Sequence, residues 1–239
     1  MINKLTIIIP TYNEEKTIEK VLYKIKEVEL VTGISKEVII VNDSSKDNTE
    51  KIVHSFIKNN PDLLIRYHSF DVNKGKGAAI RKGVEVASGD YLIIQDADLE
   101  YDPADYNDLI KPILYSDADV VYGSRFIGGK PHRILFFWHT LGNKFLTFLL
   151  NMLANLNLTD IETCYKVFKT SIIKSIELKE ERFGFEPEVT SKVAKIKNIK
   201  IYEVGIAYYG RTYEDGKKIG WKDGFRAIYC ILKYNIWSR

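Results

Sequence analysis

An alternation through the first half of the chain restricts its fold more than any other feature. Short apolar runs at residues 5–9, 37–42, 64–69, 91–95 and 120–123 are separated by amphipathic stretches at residues 14–31, 47–59, 75–87 and 103–114. Strand-length runs alternating with helix-length ones read as βαβ units. Val38-Ile39-Ile40-Val41 is continuously apolar, as a parallel strand covered on both faces requires. The predicted fold class is therefore α/β with a mostly parallel central sheet. At 239 residues, 45% hydrophobic and 28% charged, the chain suits one compact domain over residues 1–239 with no long disordered arm. Farther on, the pattern predicts a helix-like stretch beginning near Tyr165, another across residues 187–197, a strand at 199–206 and a final helix from Asp223. Neither a GxGxxG fingerprint nor a GxxxxGK[ST] loop is present, which counts against nicotinamide enzymes and P-loop NTPases.

In such a sheet the loops that follow the strands gather at one edge, where ligands bind near a change of strand order. Those loops carry Tyr12-Asn13-Glu14, Asp43-Ser44-Ser45, residues 71–77, Asp96-Ala97-Asp98 and Ser124-Arg125. Asp96-Ala97-Asp98 is the sharpest signal. Two carboxylates one residue apart at a strand exit can share a divalent cation and through it hold a diphosphate, and hard oxygen ligands suit magnesium or manganese. Glu100 can join that shell directly or through water, although paired acids also occur in ordinary loops. Asp43 is placed to accept hydrogen bonds from a nucleobase or ribose, with Asp71 closing the same pocket. Either can instead cap a helix, and Asp47 reads as a cap.

Asn73-Lys74-Gly75-Lys76-Gly77 sets two glycines and two lysines just before a helix, which allows close approach to a phosphate but also describes a plain turn. Arg125, Arg133, Arg211, Lys217 and Lys218 make a dispersed cationic set, suited to phosphate when combined with the acidic loop, and residues 216–220 read as a cover with small-residue hinges. Asp160, Glu162, Glu186 and Glu188 are too far apart in sequence for spacing to relate them. The histidines lack metal-ligand spacing.

Thirty-five basic against 32 acidic residues give a formal charge of +3, too small to declare a nucleic-acid binder, and no base-reading module accompanies it. Cys164 and Cys230 make neither a disulfide framework nor a cysteine-rich zinc site, and a reducing cytosol suits them. The amino terminus runs straight into an apolar strand without a cleavable leader pattern, so a cytoplasmic chain is expected. Residues 132–158 are the most hydrophobic segment but too interrupted to span a bilayer. They read either as one or two helices lying in a membrane interface or as a hairpin packed on the core or a partner.

Together, Pro10-Thr11-Tyr12-Asn13-Glu14, the Asp43 loop, Asn73-Lys74-Gly75-Lys76-Gly77, Gln95-Asp96-Ala97-Asp98 and Gly123-Ser124-Arg125 resemble the family 2 inverting glycosyltransferases. The resemblance is nearest to the polyprenyl-phosphate group, which holds the dolichyl-phosphate mannose and glucose synthases. It implies a GT-A nucleotide-sugar-binding fold with amphipathic interface helices at 132–158. It also implies a Mg2+ or Mn2+ cofactor, a GDP- or UDP-sugar donor, a polyprenyl-phosphate acceptor and peripheral attachment to the cytoplasmic face of a membrane. By match of motif, Pro10, Tyr12, Glu14 and Asp43 surround the nucleotide, with Asp71 and Lys76 in the same pocket. Asp96 and Asp98 organise donor and metal, and Glu100 stands where related enzymes can carry Gln. Arg125, Arg133 and Arg211 hold donor or acceptor phosphates, and the aromatic-rich stretch 208–221, with Lys217 and Lys218, is the late loop that closes on substrate.

The activity implied is transfer of a hexose, mannose or glucose, with inversion. A lipid phosphate is already ionised near neutral pH and attacks C1 without a strong base, so positioning supplies much of the catalysis. A glycan hydroxyl acceptor would need a general base, for which Asp160, Glu186 or Glu188 would serve. A sugar-phosphate nucleotidyltransferase would release pyrophosphate instead.

Overall fold

The computed structural model describes residues 2–134, 136–211 and 221–237. The strands are β1 (Lys4–Thr11), β2 (Ser35–Asn42), β3 (Leu64–Ser69), β4 (Tyr91–Ile94), β5 (Val120–Ser124), β6 (Lys166–Lys169) and β7 (Ile201–Gly205). They form one sheet in the order β3-β2-β1-β4-β6-β5-β7. β3, β2, β1 and β4 run parallel, as do β5 and β7, while β6 lies antiparallel between β4 and β5. The helices are α1 (Ile18–Glu27), α2 (Thr49–Asn59), α3 (Lys76–Val86), α4 (Tyr106–Ser116), α5 (Phe137–Ala154), α6 (Thr170–Ser175), α7 (Phe185–Ala194) and α8 (Trp221–Leu232).

Burial follows the apolar periodicity. Ile7, Ile8 and Ile9 of β1 and Val38 to Val41 of β2 are wholly buried, as expected of strands covered on both faces. In α1 the buried side chains are Ile18, Val21, Leu22 and Ile25, a three-and-four spacing that turns one stripe to the sheet. Each such side chain stabilises the fold by about 1.5–3 kcal/mol. The charged residue inside this layer is compensated: Glu37 accepts from Thr6 Oγ1 at 2.6 Å, from the Ser88 amide at 2.9 Å and from Ser88 Oγ at 2.7 Å, with Arg66 at 3.3 Å. Burial works to raise its pKa, but those hydrogen bonds and the Arg66 charge hold it below the ordinary value.

From β1 the sheet grows outward through β2 and β3, and then the chain returns to place β4 on the other side of β1. The strand order therefore reverses between β1 and β4, and the crevice lies beyond their carboxyl ends. Tyr12-Asn13-Glu14 and Asp96-Ala97-Asp98 leave the sheet on the two sides of that switch point.

The predicted helix near Tyr165 is corrected: residues 166–169 are β6, and the helix that follows is only Thr170–Ser175. A run this short has no readable period, and Lys166, which looks like a surface residue, is entirely buried. Among its described residues the segment 132–158 contains one helix, α5, ended by Asn155 in the left-handed conformation at φ 52°. Leu146, Thr147 and Leu150 face inward, and α5 packs against α7 and α8. Phe137, Trp138 and Phe148 remain 70%, 77% and 64% exposed. Among the described residues, no helix is long and apolar enough to cross a membrane. Cys164 and Cys230 are free and buried.

Candidate active site

The site is framed by pinned loops. Asn13, at φ 53°, turns the chain out of β1, a conformation Asn tolerates better than most residues. Its amide donates to Ser45 Oγ at 2.9 Å and its Oδ1 accepts from the Lys46 amide at 2.7 Å, which ties the β1 loop to the β2 loop. Asp47 bridges the same loops, accepting from the Thr49 amide at 3.0 Å and the Glu15 amide at 3.1 Å. At the exit of β4, buried Gln95 accepts from the hydroxyls of Tyr106 at 2.7 Å and Tyr165 at 2.6 Å, and its Nε2 donates to the Asp96 carbonyl at 3.0 Å. The acidic turn thus rests on a fixed base.

Each acid of that turn meets a cation of the chain. Asp96 Oδ1 lies 2.8 Å from Lys76 Nζ, which also reaches Glu186 Oε1 at 3.4 Å. Asp98 Oδ2 accepts from Arg211 Nη2 at 2.5 Å, and its Oδ1 accepts from the Glu100 amide at 3.0 Å. Arg211 is set among three carboxylates, with Nε 3.5 Å from Glu100 Oε1 and Nη1 3.8 Å from Glu14 Oε2. Glu100 also accepts from the Arg211 amide at 2.7 Å and the Tyr208 hydroxyl at 3.1 Å.

Burial, then the charges of Asp96 and Glu100, push the Asp98 carboxyl up to about 7. Burial also opposes ionisation of Asp96, but the Lys76 ammonium outweighs it and holds that carboxyl below the ordinary value. The turn therefore carries more carboxylate than its own cations neutralise.

That excess and the hard-oxygen donor set fit a magnesium-type ion, which takes one or two carboxylates and completes its shell with substrate phosphates and water. Asp96 and Asp98 are the residues that would hold it. Among the described residues no three Asp, Glu, His or Cys side chains gather as a preformed metal cage, so Asp96, Asp98 and Glu100 do not form one by themselves.

Asp43 does not stand open to a ligand. Its Oδ1 accepts from the Lys74 amide at 2.7 Å, and its Oδ2 from the Gly75 amide at 2.7 Å and Asn73 Nδ2 at 2.8 Å. The carboxylate shapes the loop that leads into α3. In that loop Gly75 sits at φ +97°, and a Cβ on Gly75 or Gly77 would stand 2.3 Å from the carbonyl oxygen of Glu181 or Glu180. These glycines admit a neighbouring backbone, where the sequence pointed to a phosphate or a plain turn.

Arg125 is likewise taken up. It forks onto Asp160 through Nε at 2.7 Å and Nη2 at 2.8 Å, and its amide adds a third bond at 3.1 Å. Expected on a phosphate, Arg125 instead forms a buried clamp. Arg133 is exposed and donates Nη1 to the Gly210 carbonyl at 2.9 Å, beside the Arg211 segment. Pro10 is half-buried one residue before the end of β1, Tyr12 is exposed at the crevice, and Asp71 is exposed with its carbonyl accepting from Ser44 Oγ at 3.3 Å. Lys217 and Lys218, with the proposed cover at 216–220, lie outside the described residues.

Sequence spacing could not relate the acids beyond residue 160. Folding brings Glu186, from the first turn of α7, to Lys76. Glu188, two residues on, is absorbed by the fold: it accepts from the amides of Lys179 at 2.8 Å and Glu180 at 2.7 Å and from Lys192 Nζ at 2.6 Å.

Residues 6–177 match the family model described as Glycosyl transferase family 2. The chain is 27% identical over 236 residues to a dolichol-phosphate mannosyltransferase of Pyrococcus furiosus, covering 97% of this chain and 64% of that protein. It thus spans less than two thirds of that relative's length. It is 29% identical over 228 residues to a dolichyl-phosphate beta-glucosyltransferase of Dictyostelium discoideum, covering 90% of this chain and 68% of that one. A glucosyl-3-phosphoglycerate synthase of Mycobacterium tuberculosis, solved with Mn2+, uridine diphosphate and phosphoglyceric acid, superposes with a TM-score of 0.73 at 18% identity, covering 98% of this chain and 79% of that one. The shared architecture is the GT-A fold.

Proposed function

The chain belongs to glycosyl transferase family 2, and from that premise we propose that it moves a hexose from a nucleoside-diphosphate sugar to a polyprenyl phosphate with inversion at C1. The observation that carries the reading is the acidic turn at the β1/β4 switch point, where Asp96 and Asp98 each face a protein cation and still leave carboxylate charge in excess. A diphosphate approaching with a divalent cation meets the charge pattern it needs.

In this reading Asp96 and Asp98 hold a magnesium or manganese ion, which when bound neutralises charge growing on the departing diphosphate. Lys76, on Asp96, adds positive charge beside the same oxygens. Arg211 is held among Glu14, Asp98 and Glu100 and stands ready to exchange a carboxylate for a phosphate. Asp43 acts as a positioning residue, since it builds the loop before α3. Arg133 lies on the same side as Arg211, where an acceptor phosphate would be steered.

A specific observation favours a phosphate acceptor over a glycan hydroxyl. A hydroxyl needs a general base, and of the three sequence candidates Asp160 is locked to Arg125 and Glu188 to three donors, which leaves Glu186, buried and ion-paired with Lys76. An ionised lipid phosphate needs none. The exposed aromatic face of α5 supports attachment to a lipid surface, and α5 packs on α7, the helix that carries Glu186. Two free, buried thiols suit a reducing compartment and hence the cytoplasmic face of that membrane.

The test is incubation of purified protein with short-chain polyprenyl phosphate and labelled GDP- and UDP-sugars, with and without Mg2+ or Mn2+. Metal-dependent label in a lipid product from one donor is expected. Label entering only a soluble glycan would overturn the acceptor, and release of pyrophosphate would overturn the reaction class.

A further inference from the structure

Beneath the acidic turn lies a cluster of buried polar groups that no step above uses. Glu186 is 5% exposed. Its Oε1 reaches Lys76 Nζ, the ammonium that also holds Asp96, while its Oε2 is buried without a hydrogen-bond partner among the described residues. Glu162, in the segment leading to β6, brings a second buried carboxylate oxygen without a partner, and Thr163 Oγ1 beside it is a third orphaned atom. The Glu186 charge acts on Glu162: burial and then that charge push the Glu162 carboxyl up to about 7. The wholly buried Lys166 ammonium senses both.

Buried polar atoms in folded proteins are nearly always paired, and the Glu186 carboxylate, ion-paired with Lys76, offers only acceptors. The missing partner is therefore a hydrogen-bond donor. It must also reach a carboxylate separated from Asp96 by one ammonium. In a nucleoside-diphosphate sugar whose diphosphate lies at Asp96 and Asp98, the group adjoining the diphosphate is the sugar ring, which presents several hydroxyls.

We propose that Glu186 and Glu162 accept hydroxyl groups of the donor's sugar and restrict the donor to neutral hexoses. This rests on the nucleotide-sugar reading of the site. A uronate would bring another negative charge beside Glu162, Glu186 and Asp96, where Lys76 and Lys166 are already shared, and like charges in a desolvated pocket repel strongly.

The test measures binding by the full chain, in magnesium, of GDP, UDP, their neutral hexose conjugates and the corresponding uronates. Hydrogen bonds to a charged acceptor correspond to about a ten- to hundredfold change in affinity. Glu186→Gln is expected to lower the ratio of nucleotide-hexose to nucleoside-diphosphate affinity about tenfold or more, and to narrow the preference for hexose over uronate. Glu162→Gln makes the same test without touching the Lys76 ion pair, which covers the case of an unstable Glu186 variant.

A ratio unchanged in Glu162→Gln, or a wild-type protein that binds uronate conjugates as well as hexose conjugates, overturns this inference alone. Absence of any nucleotide-sugar binding by the wild-type protein overturns the inference together with the reading beneath it.

Discussion

The cleft and the α5 face break the same rule in opposite directions. The cleft buries charge: Asp98, Glu186 and Asp160 are almost or entirely inaccessible. The outer side of α5 exposes Phe137, Trp138, Phe145, Phe148 and Met152. Both arrangements cost stability in the isolated chain, because buried charge is poorly solvated and exposed aromatic surface orders water. They differ in how the chain relieves the cost itself. Inside, Asp96, Asp98, Asp160, Glu186 and Glu188 each meet a protein cation or a set of amides, and the residual mismatch gathers at Asp98, Glu162 and Glu186. Outside, the aromatic side chains stay largely exposed, with Phe137 and Trp138 meeting edge to face at 5.3 Å between ring centroids. A cleft with a small local excess of charge calls for a small polar ligand, whereas a broad apolar helix face calls for an extended apolar surface.

The largest effect that would sharpen this contrast is on chemistry. Asp98→Asn is expected to lower transfer about a thousandfold or more, by weakening the hold on the divalent cation that would neutralise the departing diphosphate. It should do so without loss of folding stability. A carboxyl raised to about 7 binds its proton more tightly in the folded state, so its contribution is present at low pH and is lost as pH rises through that value. A neutral Asn is spared that loss, and metal-free denaturant unfolding at pH 8 should show equal or higher stability. The next effect is structural: Asp160→Ala leaves the buried Arg125 uncompensated and should cost about 3–5 kcal/mol in the same assay. If Asp98→Asn destabilised as much as Asp160→Ala, the distinction between a mismatch kept for a ligand and a clamp kept for the fold would fail.

The two regions were also unequally legible. Strands β1 to β5 and helices α1 to α4 could be read because runs such as Val38-Ile39-Ile40-Val41 bury what their periodicity says they bury. Asp96 and Asp98 were legible because a strand exit is a known address for ligand-binding acids. Other residues were not, since their partners lie far along the chain. Arg125 is claimed by Asp160, Asp43 by backbone amides of residues 74 and 75, and Gly75 and Gly77 by carbonyls of 181 and 180. Backbone donors and acceptors have no letter in a sequence, so their claims on a side chain appear only after folding. β6 escaped for a related reason: Lys166 reads as surface, yet its ammonium is buried over the Tyr122 ring at 5.5 Å.

On the α5 face the expected change is smaller and confined to lipid. Trp138→Ser should weaken attachment to vesicles about tenfold, the loss of one aromatic side chain from an interface. Binding of nucleotide sugar and the melting temperature should not move, since the side chain is 77% exposed. A lowered melting temperature would mean that the face is covered by protein, and the contrast with the cleft would collapse on that side.

The smallest effect tests whether the chain's own compensation is as complete away from the cleft as it is around Asp160. Glu180 sits between the acid-bearing segment and the last helix. Its carboxylate accepts from Arg226 Nη2 at 2.5 Å, Tyr234 Oη at 2.8 Å and Lys233 Nζ at 3.1 Å. Burial works to raise its pKa, but those hydrogen bonds outweigh burial and hold the carboxyl at about 2. A depressed carboxyl stabilises the fold above its ordinary value near 4.5, and that contribution fades as pH falls toward 2. Glu180→Gln should therefore lower the melting temperature by a few degrees at pH 7, with the gap to wild type shrinking steadily below pH 4.5. A gap that stays constant with pH would assign the loss to packing around Tyr234, and would leave the pairing of charges with no measurable part in holding α8 to the core.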